Sequence, residues 1–121
     1  MPQLVHERPI LVTGSDGALY DRARIRAAFQ PGGIWEAWIE FVGIGGKRVL
    51  RTDIETTQPD LAAVDYWASG LEPIYFEGAL ARAERRRQAL ARDAVSRGGA
   101  GRDRRLAGKR ATPSSPRSRF E

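Results

Sequence analysis

The sequence predicts an α+β fold: a three- to four-stranded antiparallel meander packed on one face by one or two C-terminal helices, then a disordered basic tail. Three observations predict it. Residues 19–56 alternate in polarity at period two through two glycine-rich breaks. Residues 59–94 carry helix start and stop signals with apolar residues three and four apart. From Gly98 onward the composition collapses to Gly, Arg, Ser and Pro.

Taken in order, residues 1–8 show no periodicity and are expected to be a flexible N-terminus. "PILVT" (Pro9–Thr13), closed by "GSDG" (Gly14–Gly17), reads as a short strand. In "LYDRARIRAAFQ" Leu19, Ala23, Ile25, Ala27 and Phe29 share one face, and Arg22, Arg24 and Arg26 share the other. "PGG" (Pro31–Gly33) suits a hairpin loop. "IWEAWIEFV" then sets Trp35, Ala37, Ile39 and Phe41 against Glu36, Trp38 and Glu40. After "GIGG" (Gly43–Gly46), "KRVLRTDIETT" sets Leu50, Thr52, Ile54 and Thr56 against Val49, Arg51, Asp53 and Glu55.

These segments can be put in register. Pairing Gln30 with Ile34 brings Phe29 to Trp35, Ala27 to Ala37, Ile25 to Ile39 and Ala23 to Phe41. Pairing Val42 with Lys47 brings Ile39 to Leu50, Ala37 to Thr52 and Trp35 to Ile54. Apolar meets apolar in both hairpins, and a slip of one residue would reverse every face. Ile34, Trp38 and Phe41 also fit a helical spacing, but the brevity, flanking glycines and aromatic content favour a strand.

"QPDLAAVDYWASG" predicts a helix with Pro59 in its first turn, Asp60 at its positive end and Gly70 at its stop. Leu61, Val64, Ala68 and Leu71 form its stripe. A second helix is expected to open near Pro73, with Phe76, Leu80 and Ala83 as its stripe, thinning beyond Ala83 to Leu90 and Ala94. The expected organisation is therefore a flexible segment 1–8, one α+β domain over 9–96 and a disordered Arg/Gly/Ser/Pro-rich tail over 97–121.

Composition narrows the function. The chain has 121 residues and no cysteine, which excludes disulfide scaffolds, thiolate metal sites and thiol nucleophiles and fits a cytoplasmic protein. Neither a signal peptide nor a membrane span is expected. His6 is the single histidine, and Ser15, Ser69 and Ser96 have no base nearby in sequence. "GSDG" lacks the Lys-Ser/Thr of a phosphate loop. No enzymatic activity, cofactor or metal is expected. The net charge of +5 hides a split: seven Lys/Arg against eleven Asp/Glu in residues 1–80, and thirteen against four in residues 81–121. Eighteen of the twenty basic residues are Arg, a bias that a GC-rich genome produces without selection for binding.

Three surfaces carry the functional expectations. In the register above, Trp38 lies between Arg26 and Arg51 on the open sheet face, with Arg24 beside Glu40. That is a layout on which a base stacks, or a cross-strand ladder of cation–π and ion pairs. Trp35 is assigned to the core. Arg85, Arg86, Arg87, Arg102, Arg104, Arg105, Lys109 and Arg110 form a basic arm suited to a phosphate backbone, or a merely solvated charge run. Tyr66, Trp67, Tyr75 and Phe76 are more aromatics than a small helix pair needs inside, so some are candidates for contact with a protein partner or a second copy. The expectation is a small non-enzymatic protein-interaction or regulatory module. Nucleic-acid binding through the basic helix and tail is the alternative.

Overall fold

The computed structural model describes the backbone of residues 1–106 and the side chains of residues 1–97. The elements are β1 (Gln3–Thr13), β2 (Leu19–Gln30), β3 (Ile34–Gly43), β4 (Val49–Arg51), β5 (Thr56–Gln58), α1 (Leu61–Ser69) and α2 (Pro73–Leu106). One antiparallel sheet runs β1-β2-β3-β4, and β5 also pairs with β3. Two compact units divide at Arg87/Gln88. The first holds the sheet, α1 and the opening turns of α2.

Period-two alternation has its full effect in the first hairpin. Gln30↔Ile34, Phe29↔Trp35, Ala27↔Ala37, Ile25↔Ile39 and Ala23↔Phe41 are all partners, as the sequence register requires. The turn places Gly32 and Gly33 at φ 96° and 84°, a region closed to most side chains.

The second hairpin keeps its faces but changes its partners. Val42 pairs with Val49 rather than Lys47, and Ala37 pairs with Thr56 rather than Thr52. Both shifts are even, so apolar still meets apolar. The cause is local. Gly43 N donates to Arg48 O at 2.8 Å, which draws Lys47 and Arg48 into the turn. Thr52–Glu55 then interrupts the strand, separating β4 from β5. At the break, Thr52 N donates to Ile39 O (2.9 Å), and the buried Thr52 hydroxyl accepts from Ile39 N (3.1 Å). Alternation lapses there. Ile54 is exposed, and Glu55, expected on the open face, turns to α2.

Residues 3–8 are not a flexible lead-in. They belong to β1, which pairs with β2 from Gln3↔Ala27 to Thr13↔Leu19. Register shifts at Leu4/His6 and at Pro9/Val12 erase the period-two signal that would have announced the strand. Those bulges, Pro9 and the charged pair Glu7-Arg8 also blunt an edge strand that has no partner on its outer side among the described residues.

Both helices cover the sheet face that carries Ala23, Ile25, Ala37, Ile39 and Phe41. Asp60 caps α1, its Oδ1 accepting from Ala63 N at 2.8 Å, so Pro59 precedes the cap instead of lying within the first turn. Val64 and Ala68 are buried. Pro73 is the first residue of α2, where its missing N–H costs nothing. Phe76, Ala79, Leu80 and Ala83 form its buried stripe, and Phe76 meets Phe41 edge to face at 6.4 Å. The alanines at 23, 27, 37, 79 and 83 let helix and sheet approach closely. α2 runs to Leu106, past the expected domain end at residue 96. The rest of the expected tail, 107–121, lies outside the described residues.

Phe76→Ala is expected to cost about 3–5 kcal/mol in urea denaturation, as a large truncation in a close-packed core. Leu90→Ala, on an exposed turn of the same helix, should change stability by less than about 0.5 kcal/mol.

Candidate functional site

The open face of the sheet is built from β2 and β3. Arg26 stands opposite Trp38 and Arg24 opposite Glu40, as expected. Arg51 is opposite Glu40 rather than Trp38. Its side chain nevertheless crosses diagonally to lie over the Trp38 ring, 4.2 Å from the centroid.

The consequence corrects the platform reading. Trp38 is 6% exposed, too little for a base to stack on it, and Trp35, assigned to the core, packs against the core partly buried, 5.2 Å from Phe29. The neighbouring arginines are committed as well. Arg26 Nε donates to Glu40 Oε1 at 2.9 Å, and Arg22 and Arg24 donate to Glu7 Oε2 at 3.2 and 3.3 Å. Arg24's hydrogen bond is the main reason that the Glu7 carboxyl is held below its usual range. Glu7 was invisible as a partner because residues 1–8 show no strand signal.

Arg51 differs from its neighbours. Its Nε donates to Thr52 O at 2.9 Å, and its two Nη atoms have no acceptor among the described residues. Burial and the nearby positive charge of Arg86 lower its pKa, although Asp53 and Glu40 oppose this. Trp38 Nε1, within the same stack, is also buried without a hydrogen-bond partner.

At the β5 side a polar brace fastens α2 to the sheet. Glu55 has 7% of its side chain exposed. It accepts from Tyr75 Oη at 2.5 Å and from Arg82 Nε and Nη2 at 3.0 and 2.7 Å. Arg86 Nε donates to Asp53 Oδ1 at 2.8 Å. Burial alone would raise the Glu55 carboxyl, but the bonds from Arg82 and Tyr75 outweigh it and hold the carboxyl below its ordinary 4.5. Burial, then the bond to Glu55, pushes Tyr75 up to about 12. Its residues come from the end of the strand break and two turns of a helix, a juxtaposition that no spacing in the chain announces.

The four candidate contact aromatics separate. Phe76 is core, not contact surface. Trp67 and Tyr75 are half-buried and meet edge to face at 6.1 Å, and only Tyr66 is open, at 83% exposure. His6 is ordered in β1, with Nδ1 3.1 Å from Asp65 Oδ1 on α1. Beside the free edge of β1 lies a crevice of about 130 Å³, lined on one side by residues Arg8–Val12 and on the other by Pro73, Phe76 and Glu77. Leu11, on this crevice, is 71% exposed.

Of the basic arm, Arg85 and Arg87 are exposed and have no acidic partner among the described residues, whereas Arg86 is held by Asp53. The backbone of α2 includes Arg102, Arg104 and Arg105, whose side chains lie outside the described residues, as do Lys109 and Arg110 altogether. Among the described residues no group of three His, Asp or Glu could hold a metal ion, and no helix is long and apolar enough to cross a membrane. Compared with protein-family models, curated proteins and solved structures, the chain matches none.

The brace makes stability sensitive to pH at both ends. Because the Glu55 pKa is depressed on folding, its contribution is complete above about pH 4.5 and is lost as pH falls below that. Because the Tyr75 pKa is raised, its contribution is complete below pH 10 and is lost as pH rises towards 12. Urea midpoints measured across pH should lose part of their acid slope in Glu55→Gln, and part of their alkaline slope in Tyr75→Phe. Unchanged slopes would show that the brace contributes little.

Proposed function

We propose that the protein is a small non-enzymatic protein-interaction module whose contact surface is the free edge of β1 and the crevice beside it. One observation carries this reading. An edge strand lies beside a crevice of mixed polar and apolar lining whose other wall is a helix, and Leu11 is left in solvent there. That combination suits a partner that seats side chains in the crevice beside Leu11, with main-chain bonding limited by the bulges and Pro9 that blunt the edge. The open sheet face supports the reading from the other side, since most of its arginines already have carboxylate partners within the domain. The cysteine-free sequence fits a cytoplasmic setting.

Sedimentation of the purified chain tests for self-association. A photo-crosslinking residue at position 11, compared with one at Lys47, tests for a partner during expression. The expected result is a discrete adduct from position 11 alone. An adduct of twice the chain mass, with concentration-dependent sedimentation, would identify the partner as a second copy. A monomer at all concentrations with no position-specific adduct would overturn the proposal.

A second reading rests on α2. Every residue from Gln88 to Arg97 is exposed, Arg85 and Arg87 are unpaired among the described residues, and the helix continues through Arg102, Arg104 and Arg105. A polar helix of this kind gains order from an anionic partner such as a nucleic-acid backbone. Binding to labelled DNA and RNA that weakens steeply with salt, and disappears on deleting residues 98–121, is the expected outcome under this reading. Absence of binding at low salt removes it.

A further inference from the structure

The Trp38–Arg51 stack is not a surface for bases, but its donors have a use. Three N–H-bearing atoms of the pair, Arg51 Nη1 and Nη2 and Trp38 Nε1, have no acceptor among the described residues. Of these only Trp38 Nε1 is buried, and the two Nη atoms of Arg51 stand open to solvent with donors free to meet an acceptor. The Arg51 side chain is half-buried. Its guanidinium is fixed flat by the indole beneath it at 4.2 Å and tethered at Nε to Thr52 O. A planar fork held in this way has already lost much of the freedom that binding would otherwise cost.

We infer that Arg51, backed by Trp38, is a recognition fork for a carboxylate presented by a protein partner. The proposal rests on the interaction-module reading and adds a second contact to it, at the opposite edge of the sheet from β1. A carboxylate fits the fork better than a nucleic-acid backbone does. It is planar and matches two parallel N–H donors, one from each Nη. Glu36 and Glu40 share the open face with Trp38, and carboxylates there repel a run of phosphates more than they repel one isolated anion. Arg86, held at Asp53, adds a positive charge nearby.

The test uses the full chain labelled with ¹⁵N. The indole and Arg Nε resonances are followed on addition of a short capped Glu-rich peptide, the same peptide with Gln in place of Glu, and a short oligothymidylate. Trp38→Phe assigns the indole resonance. Arg51→Lys, which keeps the charge but loses the fork, provides the decisive comparison. The expected result is a shift of the Trp38 indole resonance by the Glu peptide and not by the Gln peptide, with binding weakened about tenfold or more in Arg51→Lys. No shift at millimolar peptide, an equal shift by the Gln peptide, or equal affinity in Arg51→Lys would overturn the proposal. Oligothymidylate binding there more tightly than the Glu peptide would overturn the carboxylate assignment. The crosslink at position 11 reads only the β1 edge, so failure of the fork and failure of the interaction-module reading are told apart.

Discussion

Strand β3 is paired on both sides and buried on both faces, and the rest of the domain depends on that. Its inner residues Ala37, Ile39 and Phe41 meet the helices, while Trp38 and Val42 on the other face are also nearly closed to solvent. A strand in that position has little freedom of register, because a slip of one residue would exchange Trp38 with the alanine and isoleucine beside it. β2 is set by its tight turn onto β3, β1 by β2, and β4 and β5 by the opposite edge of β3. The helices then have a single apolar face to cover.

This order of dependence explains how much of the molecule could be read from the chain. The first hairpin was legible to the residue, because a three-residue turn leaves almost no choice of pairing. The second was legible only in its faces. Period two identifies a side of the sheet but cannot separate registers that differ by an even number, and nothing in "GIGGKR" says where the turn ends. β1 was half legible. The bulges that protect it as an edge strand are the same features that remove its periodicity, so its first half resembles a flexible lead-in.

Trp38 failed for a different reason. Its face was assigned correctly, and face was then equated with exposure. On a sheet laced with arginines those differ, because a guanidinium on an aliphatic stem closes over an aromatic ring as effectively as a core residue does. The signal that could have warned of this was present. Arg24 lies opposite Glu40, with Arg22 and Arg26 on the same face, and a face with both signs of charge at cross-strand spacing tends to satisfy itself. Arg51 stands out because its Cα partner, Glu40, is already taken by Arg26.

The same bookkeeping recasts the charge asymmetry of the chain. Divided at residue 80, the sequence looks like an acidic domain followed by a basic extension. Divided at the structural boundary, residues 1–87 hold eleven Lys/Arg and twelve Asp/Glu, a net of −1, and residues 88–121 hold nine against three, a net of +6. Arg82 and Arg86 therefore belong to the domain, where they fasten α2 to Glu55 and Asp53. A nearly neutral domain exerts little long-range pull on a polyanion, so its contacts must come from shape, unpaired strand edges and single oriented donors. The excess positive charge lies wholly in the other part of the chain. Truncation therefore removes the net positive charge without removing the sheet, and the β1 edge and the Arg51 fork must be judged on short-range chemistry alone.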